Sequence, residues 1–136
     1  MKGRLRRFPL RLSTGAFILN AGLGKLQADE ETAKRVHGMA SGTYPVFDRV
    51  DPRMFTKLLA VSEIALGATL LLPLASSRMA GLGLTAFAGG LLGMYVKTPG
   101  MRREGSIRPT PQGTALAKDV WLLGSGLSLL FDRPDD

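Results

Sequence analysis

The sequence predicts an all-α fold: an integral membrane four-helix bundle with a short interfacial helix between helices 1 and 2. Charged residues are clustered, and uncharged apolar stretches about one helix long separate the clusters. Glycine makes up 17 of the 136 residues, and many glycines lie inside these apolar stretches, which membrane helices tolerate better than soluble ones. No segment alternates apolar and polar residues as a half-buried strand would. We expect one domain over residues 1–136.

The first predicted helix covers about residues 9–26. Residues 12–24 carry no charge and follow five cations, namely Lys2, Arg4, Arg6, Arg7 and Arg11. A helix over residues 9–26 would be about 27 Å long, just enough to cross the hydrocarbon core of a bilayer. A signal peptide begins with the same pattern, but no A-x-A cleavage motif follows, so we favour a retained helix.

The N-terminal cations also predict orientation, because positively charged flanks stay in the cytoplasm and the first helix usually dominates. We expect a cytoplasmic N-terminus and, after four crossings, a cytoplasmic C-terminus. The count of cations over the whole chain supports this orientation less clearly, since most of the 18 lysines and arginines would then lie outside the cytoplasm.

A polar segment, residues 29–50, precedes the second long helix. Asp29 can cap a short helix here, and its apolar side could rest on the membrane surface. The second long helix is predicted at about residues 52–74, where Asp51 suits the N-cap position and Pro52 the first helical position.

The third predicted helix, about residues 78–97, carries the strongest membrane signal. Residues 79–96 contain no charged side chain, and their length is that of a short spanning helix. The fourth predicted helix, about residues 111–131, follows Thr110 and Pro111, which repeat the cap-then-proline pattern.

A basic loop, residues 98–110, joins these last two helices. It carries Arg102, Arg103 and Arg108 against a single acidic residue, Glu104. We expect the three arginines to contact lipid phosphates or the acidic surface of a partner.

Small residues at helical spacing predict where the helices meet, because membrane helices associate through close backbone contact. The predicted packing glycines are Gly24 on the first helix, Gly67 on the second, and Gly81, Gly89 and Gly93 on the third. A soluble glycine-rich bundle is the alternative, but it would leave residues 79–96 without a polar face.

Glu63 is the most informative polar residue, since a charge near the middle of a membrane helix is costly unless it is paired. Its candidate partners are Asn20, Lys25 and Asp119, while the adjacent Lys118 can extend outward along its stem. Two interpretations stay open. The cluster is either a structural pair that sets helix register or a ligand, proton or quinone site.

The composition excludes several kinds of chemistry. With no cysteine and one histidine, the chain cannot form iron–sulfur clusters, Cys-based zinc sites or a thiolate nucleophile, and we predict no catalytic residue and no metal site. A redox role would have to borrow a quinone, a flavin or a partner protein. The net charge of +7 lies at the ends of apolar stretches, which indicates a lipid bilayer rather than nucleic acid as the partner.

Three segments resemble DoxX-like membrane proteins. Residues 11–26 (RLSTGAFILNAGLGKL) are similar to the first helix of that family, which typically has an Arg, a Gly, a Phe and a Gly-x-x-Lys-Leu end. Residues 63–83 (EIALGATLLLPLASSRMAGLG) resemble its second helix, turn and third helix, and residues 118–124 (KDVWLLG) resemble the start of its fourth. The likeness extends over about residues 9–131.

The resemblance implies a small multi-pass protein of the cell (inner or plasma) membrane, in a family connected with redox complexes. One branch resembles a subunit of thiosulfate:quinone oxidoreductase. We therefore expect a non-catalytic or quinone-adjacent subunit or scaffold of a membrane redox assembly, with membrane redox proteins or a second copy as partners. The alternative is a small-molecule or proton-coupled transporter, or a membrane enzyme, centred on Glu63. Lack of cysteine and a long basic loop depart from the family's redox members.

Overall fold

The structure is a computed structural model that describes the backbone of residues 2–132 and the side chains of residues 5–132. Its elements are α1 (Lys2–Leu26), α2 (Glu30–Thr43), a 3-10 helix (Pro45–Arg49), α3 (Pro52–Leu71), α4 (Ser77–Lys97), α5 (Thr114–Ala117) and α6 (Val120–Leu130). No strand occurs among these residues, so the predicted all-α class is confirmed.

Two helix ends differ from the predicted ones, and a proline explains the second difference. α1 begins at Lys2 rather than near residue 9, and Pro9 lies inside it, where it removes one backbone hydrogen bond near the start of the helix. α3 ends at Leu71 rather than near residue 74. The ring of Pro73 disfavours a helical conformation at Leu72, whose backbone is extended (φ −78°, ψ 124°).

The prediction of one continuous helix over residues 111–131 is wrong. The chain forms two shorter helices here, α5 with 4 residues and α6 with 11. At the break, the backbone N–H of Asp119 donates to the carbonyl of Leu116 at 3.0 Å, three rather than four residues back, which tightens the turn.

The long helices pack as two pairs, α1 along α3 and α4 along α6. Contacts between the pairs, from α3 to α4 and from α1 to α6, are sparser. α2 lies on α3 and also reaches α4, so it covers one end of the two pairs.

Glycines allow the helices of each pair to approach closely. A Cβ atom at Gly67 would lie 2.7 Å from the backbone nitrogen of Leu19 on α1. A Cβ atom at Gly81 would lie 2.5 Å from the backbone nitrogen of Leu130 on α6. Since ordinary Cβ contacts are longer, only glycine fits, and both positions lie in helix contacts as their spacing predicts.

The contacts predicted at Gly24, Gly89 and Gly93 are wrong. A Cβ atom at Gly24 or Gly89 would meet no heavy atom within 4 Å, and Gly93 faces the hydroxyl of Tyr44 rather than the backbone of a paired helix. α6 has 11 residues and α4 has 21, so α6 covers only part of α4 and leaves Gly89 without a neighbour. Close contacts that the spacing did not indicate are made by Gly15, Gly22 and Gly126.

Many large apolar side chains lie on the outer surface, and small residues are among the most buried, together with Ile18, Leu70, Leu84 and Leu129. Leu74 is 93% exposed and Trp121 70%, while Ala60, Ala80 and Ala88 are fully buried. α3 and α4 are each long and apolar enough to cross a membrane, and only 33% and 28% of their most apolar stretches are buried. This arrangement is compatible with membrane association.

Arg11 of α1 caps the end of α3. Its guanidinium donates five hydrogen bonds of 2.7–3.1 Å to the carbonyl oxygens of Thr69, Leu70, Leu72 and Ala75 and to the hydroxyl of Ser77. The last carbonyls of a helix have no hydrogen-bond donor within the helix and lie at the negative end of its dipole. A guanidinium there supplies donors and offsets the negative end of the dipole. Arg11 thereby ties α1 to the turn between α3 and α4.

The two ends of the described chain meet beside this cap. Asp132, just after α6, forms ion pairs with Arg6 at 2.7 Å and with Arg7. The hydrogen bond from Arg7, followed by the interactions with Arg6, holds the pKa of Asp132 below its ordinary value of 3.8.

We expect Asp132→Asn to remove an acid-sensitive part of the stability. The pKa of Asp132 is lower in the folded than in the unfolded chain, so its contribution is complete above about pH 4 and is lost as the pH falls through the folded-state pKa. In detergent, Tm should fall less for this variant than for the native chain between about pH 5 and about pH 2. Asp48→Asn, at an exposed position with no ion pair among the described residues, is the matched control. An equal fall for Asp132→Asn and the native chain would contradict the prediction.

Candidate functional site

A cavity of about 810 Å³ lies between the two helix pairs, at the end covered by α2. Residues from α1 to α6 all contribute to its wall, which is mostly apolar and includes Phe17, Met39, Phe55, Phe87 and Leu91. Cavities of ~300–1,000 Å³ with apolar walls and a few polar groups are typical binding sites for small molecules. We call this space the main cavity.

Lys25 and Glu63 form an ion pair on the wall of the main cavity. The ammonium nitrogen of Lys25 lies 3.0 Å from one carboxylate oxygen of Glu63 and 3.1 Å from the other. The Glu63 side chain is 2% exposed and that of Lys25 is 27% exposed. Glu63 therefore faces the interior, and of the partners predicted for it the structure selects Lys25.

Local features of both helices bring this pair together. Lys25 lies in the last turn of α1, where the helix dipole favours a cation. Three residues earlier, Gly22 allows close approach, since a Cβ atom there would lie 2.8 Å from the carbonyl oxygen of Ala60 on α3. This contact brings the end of the Lys25 side chain within reach of Glu63, which has little water to solvate it.

Asp119 adds a second carboxylate to the main cavity. It occupies the break between α5 and α6, is half-buried, and lies within electrostatic range of both Glu63 and Lys25. The adjacent Lys118 is exposed, so the two neighbours point in different directions as expected on a helical backbone. The break in the helix therefore places a carboxylate at the cavity wall.

Asn20 does not join this cluster, and its predicted pairing with Glu63 is wrong. It is exposed on α1, and no hydrogen bond connects it to Glu63 among the described residues. The face of α1 that meets α3 carries Gly15, Gly22 and Lys25, and Asn20 lies about 200° around the helix from Gly22.

The sequence did not indicate that α2 and the following 3-10 helix form a wall of the main cavity. Nε2 of His37 on α2 donates a hydrogen bond of 2.7 Å to the carbonyl of Phe47, and its ring packs edge-on against Phe55 of α3 at 5.5 Å. The hydroxyl of Tyr44 donates to the carbonyl of Gly90 on α4 at 2.7 Å. These contacts attach the covering segment to both helix pairs.

The charged groups of the main cavity define what it can do chemically. The Lys25 ammonium can donate a hydrogen bond to a ligand carbonyl oxygen, and the carboxylates of Glu63 and Asp119 can accept protons or donated hydrogen bonds. In the part of the chain that the structure describes, no three His, Cys, Asp or Glu side chains are grouped to hold a metal ion.

The predicted contact residues Arg102, Arg103 and Arg108 are all exposed. They lie on a compact loop in which the N–H of Arg103 donates to the carbonyl of Arg108 at 2.7 Å, and Gly100 and Gly105 adopt positive φ values. Arg102 donates to the backbone carbonyl of Val96 at the end of α4 and to that of Ser106 in the loop. Their contact with lipid or a partner stays a prediction.

No protein-family model, curated protein or solved structure matches this chain. Its fold and main cavity define it as an all-helical protein with two helices of membrane-spanning length and a buried Lys–Glu pair beside an apolar cavity. Lys25, Glu63 and Asp119, which are far apart in sequence, all lie on the wall of the main cavity.

Proposed function

We propose that the chain is a multi-pass, DoxX-like protein of the cell membrane that binds a quinone in the main cavity as a non-catalytic subunit of a membrane redox assembly. The observation that carries this proposal is the mostly apolar cavity of about 810 Å³ with the Lys25–Glu63 pair on its wall. Both termini are cytoplasmic in this proposal, and the DoxX-like resemblance of the three converging segments supports it.

The distribution of side chains supports the membrane location. Apolar side chains such as Leu58, Val61 and Leu82 are exposed on α3 and α4, where lipid would cover them, and glycines allow the closest helix contacts. α6 alone is about 16 Å long and is too short to cross a bilayer. In this proposal the fourth crossing combines α5, the break and α6. Non-helical backbone is tolerated within a membrane where it lines a cavity, as the break at Asp119 does.

The chemistry of the cavity supports a quinone. A quinone is a neutral ring with two carbonyl oxygens and an apolar tail, so it needs a hydrogen-bond donor and an otherwise apolar environment. The Lys25 ammonium is the donor, held in place by Glu63. Phe17, Phe87 and Leu91 supply the surface for the ring and tail. Electron transfer would be carried out by the quinone and a partner protein, since the chain has no cysteine and one histidine.

A proton-coupled transporter is the second candidate. The observation that favours it is the second carboxylate, Asp119, which lies near Glu63 at a helix break on the cavity wall. Broken helices that carry ionisable residues are common at transporter binding sites.

Quinone binding provides the test. The protein is expressed in membranes, shown to resist carbonate extraction, and purified in detergent, after which a short-chain ubiquinone analogue is titrated by equilibrium dialysis. We expect saturable binding that weakens about tenfold or more in Lys25→Met, because the ligand carbonyl loses a charged donor. Lys57→Met, which removes an exposed lysine from α3, is the matched control and should bind normally.

Three outcomes would decide against the proposal. Release by carbonate would overturn the membrane location, and absence of saturable binding would overturn the ligand. Equal weakening of quinone binding in Lys25→Met and Lys57→Met would show that the quinone does not bind in the main cavity. Proton uptake by proteoliposomes that depends on Asp119, without quinone binding, would favour the transporter instead.

A further inference from the structure

A second cavity, of about 490 Å³, lies at the opposite end of the helix pairs from α2. The turn between α3 and α4 forms one side of it, and the N-terminal half of α1 forms the other. We call it the arginine cavity, because Arg7, Arg11 and Arg78 all line it. None of its lining residues also lines the main cavity, so the two spaces are separate sites.

The arginine cavity carries excess positive charge. Its wall holds three arginines and one carboxylate, that of Asp132, which pairs with Arg7. Arg11 is half-buried and donates its hydrogen bonds to uncharged oxygens, so its donors are occupied while its charge has no carboxylate beside it. A partly buried charge of this kind attracts an anion, because the protein around it screens less than water does.

Donors that an anion could use face the same space. Arg78 is exposed, and its side chain makes no hydrogen bond or ion pair among the described residues. Ser76 is the N-cap residue of α4 but its hydroxyl makes no capping hydrogen bond, so both the hydroxyl and the first N–H groups of α4 are available. Ser77 accepts from Arg11 and still has its own O–H to donate.

The rim of the arginine cavity is apolar. Phe8, Leu12 and Leu74 line it, and each of them is exposed. An anion with attached hydrocarbon chains would therefore satisfy both the cationic wall and the apolar rim, whereas a free inorganic anion would leave the rim uncovered.

We propose that the arginine cavity binds the headgroup phosphate of an anionic phospholipid, with an acyl chain along Phe8, Leu12 and Leu74. Arg78 and Ser76 hydrogen-bond the phosphate, and Arg11 contributes its charge. The inference requires the membrane location proposed above but does not depend on any ligand of the main cavity.

Native mass spectrometry of the detergent-purified protein tests it. Phosphatidylglycerol is titrated against phosphatidylcholine, for the native chain and for Arg78→Gln. Arg49→Gln is the matched control, since it removes an exposed arginine from the 3-10 helix beside α2, at the other end. We expect tighter binding of phosphatidylglycerol than of phosphatidylcholine, about tenfold weaker binding in Arg78→Gln, and no change in Arg49→Gln.

Equal binding of the two lipids, or equal weakening in the two arginine variants, would overturn the proposal. Inorganic phosphate that competes fully with phosphatidylglycerol at equal concentration would also overturn it, because the lipid chain would then add nothing. Quinone binding measured on the same samples keeps the two proposals distinguishable. Arg78→Gln should leave quinone binding unchanged. If either the quinone or the anionic lipid fails to bind, the result for the other ligand still holds.

Discussion

Glu63→Leu is expected to lower the free energy of unfolding in detergent by about 2–3 kcal/mol. Removing one partner of a buried ion pair typically costs 3–5 kcal/mol, because the other charge is left buried without compensation. We expect less here, since the Lys25 side chain is 27% exposed and can move toward water. Chemical denaturation of the purified protein measures the change.

Two further variants separate the effect of the unpaired charge on stability from the effect of changed packing. Glu63→Gln keeps a hydrogen-bonding group of the same shape and should fold with a smaller loss, so quinone binding by this variant reports directly on the role of the carboxylate. The double variant Lys25→Met with Glu63→Leu removes both charges and should regain stability relative to Glu63→Leu alone. A double variant less stable than Glu63→Leu would mean that the leucine substitution acts through packing rather than through an unpaired charge.

Gly81→Ala is expected to destabilise the protein by about 1–3 kcal/mol through overpacking. The added methyl group would lie 2.5 Å from the backbone nitrogen of Leu130 and 2.8 Å from the carbonyl oxygen of Gly126, and backbone atoms cannot move aside as a flexible side chain can. Relief requires α4 and α6 to separate, which weakens the contact along the whole pair. The measurement is the Tm and denaturation midpoint in detergent.

Gly89→Ala in the same helix is the matched control. No heavy atom lies within 4 Å of the new methyl group, and alanine is a better helix former than glycine, so this variant should be neutral or more stable by up to about 1 kcal/mol. A loss of stability in Gly81→Ala together with a gain of stability in Gly89→Ala would locate the α4–α6 contact at Gly81. Destabilisation by Gly89→Ala that equals or exceeds that of Gly81→Ala would contradict the helix pairing.

Local signals along the chain were sufficient to predict where α3 and α4 lie. Capping residues and prolines act within a few residues of their position, and α3 begins at the Asp51–Pro52 signal. The loss of charge over residues 79–96 likewise predicted α4 (Ser77–Lys97). The break at Asp119 was missed because no glycine or proline marks the turn, and the charged residues Lys118 and Asp119 also fit the first turns of one continuous helix.

An unpaired charge in a membrane helix is costly whichever residue lies opposite it. This cost alone predicted that Glu63 is paired, without identifying its partner. The cost of an unpaired charge could not select the partner, since Asn20, Lys25 and Asp119 were all candidates. Lys25 became the partner because Gly22 brings α1 against α3, and that contact turns Asn20 outward.

Only the tertiary structure decided which glycines lie in contacts and where the cavities are. Gly81 and Gly89 belong to the same spacing pattern on α4, yet one touches α6 and the other has open space, because α6 is about half as long as α4. The main cavity exists because the two helix pairs are joined tightly within themselves and loosely to each other. Helix formation follows from interactions between near neighbours in the chain, whereas pairing depends on the lengths and faces of segments far apart in sequence, which no local pattern encodes.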